Sequence, residues 1–104
     1  MIFPLYQDAA KAALSGAGAI TVSEYYTAWT TTDAQIGTLA DGSKVGQMKK
    51  VTLIVDGGVG TLTPSNFADG ATIAFADDGD ACILLYTDAT AGWSVIANQG
   101  CTLA

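Results

Sequence analysis

From residue 49 to residue 100 the chain is a series of short apolar runs, each ended by a glycine or aspartate turn signal. Four runs, residues 49–56, 71–76, 81–87 and 92–98, read as strands. The interruptions fall at Asp56-Gly57-Gly58, Asp69-Gly70, Asp78-Gly79-Asp80 and Ala91-Gly92. Glycine reaches turn conformations closed to other residues, and an aspartate carboxylate bonds nearby backbone, so each cluster terminates an element. Chains punctuated in this way fold as all-β domains.

Side-chain alternation assigns faces within these runs. Val51, Leu53 and Val55 share one side, against Lys50, Thr52 and Ile54. Ile73 and Phe75 point inward between Thr72 and Ala74, and Trp93, Val95 and Ala97 line one side of the last long run. Residues 81–86 differ, because Cys82, Leu84 and Tyr86 are matched in apolarity by Ile83 and Leu85 on the opposite side. A strand apolar on both sides is buried on both, either at the centre of a sandwich or at a subunit interface.

The first half has a looser texture. Ile2, Phe3, Pro4, Leu5 and Tyr6 form an apolar-aromatic opening whose proline blocks a regular helix. Residues 8–14 are alanine-rich with Asp8 as an N-cap, which suggests a short helix or else an extended arm, since so short a helix does not hold alone in water. Ser15-Gly16-Ala17-Gly18 ends that segment. Residues 19–32 have strand composition and are long enough to demand a bend or bulge near Glu24. A short strand follows over residues 35–40, with Asp41-Gly42-Ser43 as the next turn, and residues 101–104 are suited to a terminal strand. The domain division expected is an N-terminal arm or short helix over residues 1–18 and a single β domain over residues 19–104. Turns at this spacing predict a small antiparallel β-sandwich, jelly-roll-like fold or small barrel.

Charge narrows the partners. The net charge is −6, and all six acids after residue 50 are aspartates with no base among them. The chain has no arginine, so the bidentate contacts that read guanine and phosphate are missing, and no nucleic-acid partner is expected. No apolar run approaches the ~18 residues of a spanning helix and the first residues lack a signal-peptide pattern, so no membrane partner is expected. Half of the residues are hydrophobic and 13% are charged. That balance excludes disorder and leaves apolar surface for a partner, which favours a homo-oligomer.

The same inventory argues against catalysis. There is no histidine, so Ser-His and Cys-His dyads do not arise. The aspartates sit beside turn glycines, where their carboxylates engage backbone instead of forming a catalytic pair. Asp77-Asp78-Gly79-Asp80 fails as a calcium loop, since with Gly79 as the loop glycine Ala74 and Ala76 occupy ligand positions. Gly57-Gly58-Val59-Gly60 leads into no helix, so it is no phosphate cradle. No catalytic, cofactor or metal residue is therefore assigned, and the protein is expected not to be an enzyme. Cys82 and Cys101 are expected to be free thiols.

One resemblance gathers these phrases. Gly46-Gln47-x-Lys49-Lys50, Asp56-Gly57-Gly58-x-Gly60-Thr61-Leu62-Thr63-Pro64, Asp69-Gly70-Ala71-Thr72-Ile73-x-Phe75, Gly79-Asp80-x-x-x-Leu84-Leu85 and Gly92-Trp93-x-Val95 follow in order. Together they resemble the head decoration (cement) proteins of tailed bacteriophages and related virion structural proteins. Ala71, where threonine would be expected, and the two cysteines depart from the pattern. The resemblance implies a structural protein on the outer capsid surface, made in the host cytoplasm, with the major capsid protein as partner and a trimer as unit. Ile2, Phe3, Pro4, Leu5 and Tyr6 are then the candidate capsid contact, and Ile83, Leu84, Leu85 and Tyr86 the candidate self-association surface. Two alternatives stand beside it: a tail-fibre, spike or other tail-associated module, and a carbohydrate-binding module using Trp29 and Trp93.

Overall fold

A computed structural model describes residues 11–104. They form ten strands: β1 (Lys11–Ser15), β2 (Gly18–Ile20), β3 (Tyr26–Thr30), β4 (Gln35–Leu39), β5 (Met48–Val55), β6 (Gly60–Pro64), β7 (Ile73–Phe75), β8 (Ala81–Asp88), β9 (Gly92–Gln99) and β10 (Thr102–Leu103). Two five-stranded sheets result, one ordered β1-β3-β5-β8-β9 and the other β10-β7-β6-β4-β2. They pack face to face, and the all-β sandwich expected from the sequence is the fold.

The strand pairing is mixed instead of antiparallel throughout. The first six strands alternate between the sheets, so neighbours within a sheet are two strands apart in the chain and run the same way. β1 with β3, β3 with β5, β2 with β4 and β4 with β6 are all parallel. Parallel neighbours need a crossover, and here a strand of the facing sheet serves in place of the usual helix. The remaining pairs, β5–β8, β8–β9, β6–β7 and β7–β10, are antiparallel.

The expected helix over residues 8–14 does not form across its described part. Lys11–Ser15 is the edge strand β1, with Ala12 opposite Thr27 and Leu14 opposite Trp29. Seven residues gain little from helical bonds alone, whereas strand pairing satisfies the same backbone and lays Leu14 against the core. Residues 11–18 thus contribute to both sheets. The bend expected near Glu24 lies over residues 22–25, between β2 and β3.

Core filling follows the alternation, with exceptions at bulges. Val51 and Leu53 are buried, but Val55 is exposed, because Trp29 pairs with Leu53 and Thr30 with Val55 and the extra residue, Ile54, turns the strand end outward. Likewise Ile83 pairs with Ala97 and Leu84 with Val95, so the intervening Ile96 bulges into solvent and Ala97 moves to the outer face. The face that sequence alternation assigned to Trp93, Val95 and Ala97 therefore splits.

Two tryptophans hold opposite ends of the sandwich. Trp29 is buried, meets Phe75 edge-on at 5.7 Å between centroids, and donates its indole N–H to the Gly16 carbonyl at 2.8 Å. Trp93 is buried against Tyr86 at 5.2 Å and donates to the Ala40 carbonyl at 2.9 Å. Each indole fills core volume and satisfies a loop carbonyl at the same time.

Candidate functional site

The outer face of the first sheet is the surface with the clearest capacity for binding. Registered pairing lays three rows across it: Tyr26–Lys50–Ile83–Ala97, Ala28–Thr52–Ala81–Gln99 and Met48–Leu85–Ser94. Tyr26, Ile83 and Leu85 are half-buried, and Met48 is 39% exposed. Small residues in the middle row and bulky ones beside it leave a hollow of about 230 Å³ bordered by Lys50, Ala81, Ile83, Ala97, Asn98 and Gln99. These rows contain one cation, Lys50, and no carboxylate. The Lys50 ammonium lies 5.9 Å from the Tyr26 ring centroid, a cation–π distance.

The other sheet presents a different outer face. Its rows run Ile36–Thr61–Ala74–Thr102 and Ala19–Thr38–Thr63. Threonine hydroxyls dominate there and keep the face hydrated.

The four residues assigned to self-association divide between core and surface. Leu84 and Tyr86 point into the sandwich with almost no exposure, and the Tyr86 ring stands so close to Gly42 that a Cβ there would meet it at 2.6 Å. Ile83 and Leu85 lie on the outer face described above. Their strand is apolar on both sides because one side faces the core of its own chain and the other the sheet surface. Ile2, Phe3, Pro4, Leu5 and Tyr6 lie outside the described residues. Sequence reasoning missed Tyr26, Met48 and Ala97 on this face. Met48 was missed because β5 begins one residue before the expected strand, and only the register brings Tyr26 beside Lys50.

Elsewhere the polar groups are engaged in holding loops. Asp33 and Asp56 accept backbone N–H bonds from Ala34 and Gly58 within their own turns, at 2.8 and 3.0 Å. Asp69 accepts the Val95 N–H at 2.7 Å, tying the loop after β6 to β9. Asp88 accepts from Thr90 and Ala91 in the hairpin. Asp80 is buried and accepts from Ala76 and Asp77 at 2.9 and 3.0 Å. These five carboxylates thus fasten turns and loops, and among the described residues no group of three His, Cys, Asp or Glu side chains is placed to hold a metal ion. Trp29 and Trp93 have no exposed face and their N–H groups are engaged, so neither offers a sugar-stacking platform.

The two cysteines are free, as expected, but their meeting in the core and the burial of a lysine were not foreseen. Lys49 faces inward between Met48 and Lys50, with no exposure, and its ammonium donates to the Glu24 carbonyl at 2.8 Å and to Thr27 Oγ1 at 2.6 Å. Burial lowers its pKa to about 8, against a smaller upward pull from the Glu24 charge. Cys82 and Cys101 are both free and buried. The Cys82 thiol is in hydrogen-bond contact with Cys101, and that bond together with burial raises its pKa.

No protein-family model matches the chain, and no curated protein matches it either.

Proposed function

We propose that this chain is a structural virion protein that decorates the outer surface of a phage head. In this reading copies of the chain associate through the outer face of the first sheet, with a trimer as the unit. Residues 2–6 grip the major capsid protein of the shell. The carrying observation is the contrast between that face and the threonine-rich outer face of the other sheet. Met48, Ile83, Leu85 and Tyr26 make an apolar, almost uncharged sheet face, while Asp56, Asp69 and Asp88 bond backbone in loops away from it. An uncharged face suits contact between copies of a chain of net charge −6, because apposed carboxylates there would repel. The aspartate-fastened turns suit a rigid unit repeated many times on a lattice, where weak contacts accumulate through avidity.

Immunolabelling of intact particles of a phage carrying this gene tests the reading. Label spread over the head is the expected result. Label confined to the tail replaces it with the tail-fibre or spike alternative, and unlabelled particles overturn the virion assignment. A chain lacking residues 1–10 keeps β1 and is expected to fold but to lose attachment to heads; undiminished attachment removes the role given to Ile2–Tyr6.

A further inference from the structure

We propose that Cys82 and Cys101 form an internal disulfide when the folded chain meets a small-molecule disulfide such as oxidised glutathione, closing β8 onto the crossover from β9 to β10. These are the only cysteines in the chain, and both belong to one buried cluster. Their proximity is built by the backbone. Cys82 in β8 pairs with Asn98 in β9, and the Asn98 side chain holds Cys101 twice. Its Oδ1 accepts the Cys101 N–H at 2.9 Å, and its Nδ2 donates to the Cys101 carbonyl at 2.9 Å. Gly100, at φ 86°, makes the reversal that returns the chain over Asn98 and brings the second thiol to the first. Asn98 is thus the register partner of Cys82 and the hydrogen-bond partner of Cys101, which places both cysteines in one corner of the core, so a bond between them requires little rearrangement of the fold.

Access sets the order of events. Cys82 is 1% exposed on a central strand, whereas Cys101 is 9% exposed and directly precedes the two-residue terminal strand β10. β10 is held to β7 through Thr102–Ala74 and Leu103–Ile73 pairing, so its opening uncovers Cys101 first. The Cys101 thiolate attacks one sulfur of oxidised glutathione, forming a mixed disulfide and releasing one glutathione thiolate. Cys82 then loses its proton to solvent and attacks the Cys101 sulfur, forming the internal bond and releasing the second glutathione. Two protein thiols are oxidised and one glutathione disulfide is reduced to two thiols. The closed loop removes freedom from the unfolded chain, so the oxidised form is the more stable.

This inference stands apart from the virion reading, because it is tested on the purified chain. The full-length protein is incubated with oxidised glutathione in urea below its unfolding midpoint, then quenched with an alkylating agent and mapped by mass spectrometry. The expected product has no disulfide between chains, carries no alkyl group, and yields a peptide pair joining Cys82 to Cys101; its urea midpoint rises and returns on reduction. Cys82→Ala under the same treatment is expected to stop at a glutathione adduct on Cys101. Two alkylated thiols, a stable adduct on the unsubstituted protein, or disulfide-linked dimers would overturn the proposal.

Discussion

Residues 11–64 and residues 65–104 build the same sandwich by opposite means. The first region winds from sheet to sheet, so each corner lies against the corner of the preceding or following coil. The second region mostly folds back on itself through hairpins whose turns face solvent. Two kinds of glycine serve the corners and turns. In the wound region a Cβ on Gly57 would stand 2.2 Å from the Thr31 carbonyl oxygen, and one on Gly60 would stand 2.9 Å from the Trp29 ring. Thr31 Oγ1 also accepts from Gly57 N–H and donates to the Gly58 carbonyl, locking the two corners together. In the folded-back region Gly79 has open space around it and is needed for its φ of 89°. Gly57 and Gly60 are demanded for closeness; Gly79, in the turn that carries the chain from β7 to β8, is demanded for backbone conformation.

The largest effect tests that distinction. Gly57→Ala is expected to cost about 3 kcal/mol or more, since the added methyl meets backbone that has no rotamer to change. Gly79→Ala is expected to cost about 1–2 kcal/mol, the strain of a left-handed residue with nothing to strike. Urea midpoints compare the two, and equal losses would erase the difference between close approach and backbone conformation.

Lys49 sharpens the comparison at the junction, since it lies on β5, which pairs with wound β3 on one side and folded-back β8 on the other. Its pKa is about 8 in the folded chain and 10.5 when unfolded. Below pH 8 both states hold the proton and the burial penalty is present in full. Between pH 8 and 10.5 the unfolded state binds more protons, so this group makes stability rise with pH, by an amount on the order of 3 kcal/mol. Lys49→Met is expected to remove that rise. Denaturation midpoints of the two proteins from pH 7 to 10.5 check it, and parallel curves would contradict the burial.

The smallest effect on stability belongs to the outer face of the first sheet. Leu85→Thr keeps a strand-forming residue at a half-buried site and is expected to cost about 1 kcal/mol. Its consequence lies in the proposed self-association: light scattering is expected to show an oligomer for the unsubstituted chain and its loss in the variant. The matched change on the threonine face, Thr61→Val, is expected to leave the oligomer intact. Loss of association in both or in neither would separate self-association from the contrast between the faces.

Much of the folded-back region was legible in the residues. Residues 81–87 and 92–98 were delimited to within a residue or two of β8 and β9, because both are long, alternating and bounded by aspartate and glycine. Less of the wound region was legible. β6, Gly60–Pro64, begins inside a glycine-rich stretch that reads as loop, and it is a strand because β4 and β7 bond it on both sides. β1 looked like a weak helix for the same reason, its identity being conferred by β3. Of the candidate surface, alternation placed Ile83 and Leu85 together but could not tell that Leu84 and Tyr86 face the core of their own chain.

By itself, then, the sequence determined the class of the fold, the positions of most turns and, away from the bulges in β5 and β9, which side chains share a side of a strand, because these depend on residues near one another. The tertiary structure alone decided which strands are neighbours, and with that the parallel winding, the burial of Lys49, the meeting of Cys82 with Cys101 and the composition of the outer face. Alternation reports the side on which a residue lies but carries no information about the strand beside it; that is settled only when distant segments compete for the same edge and the same core volume.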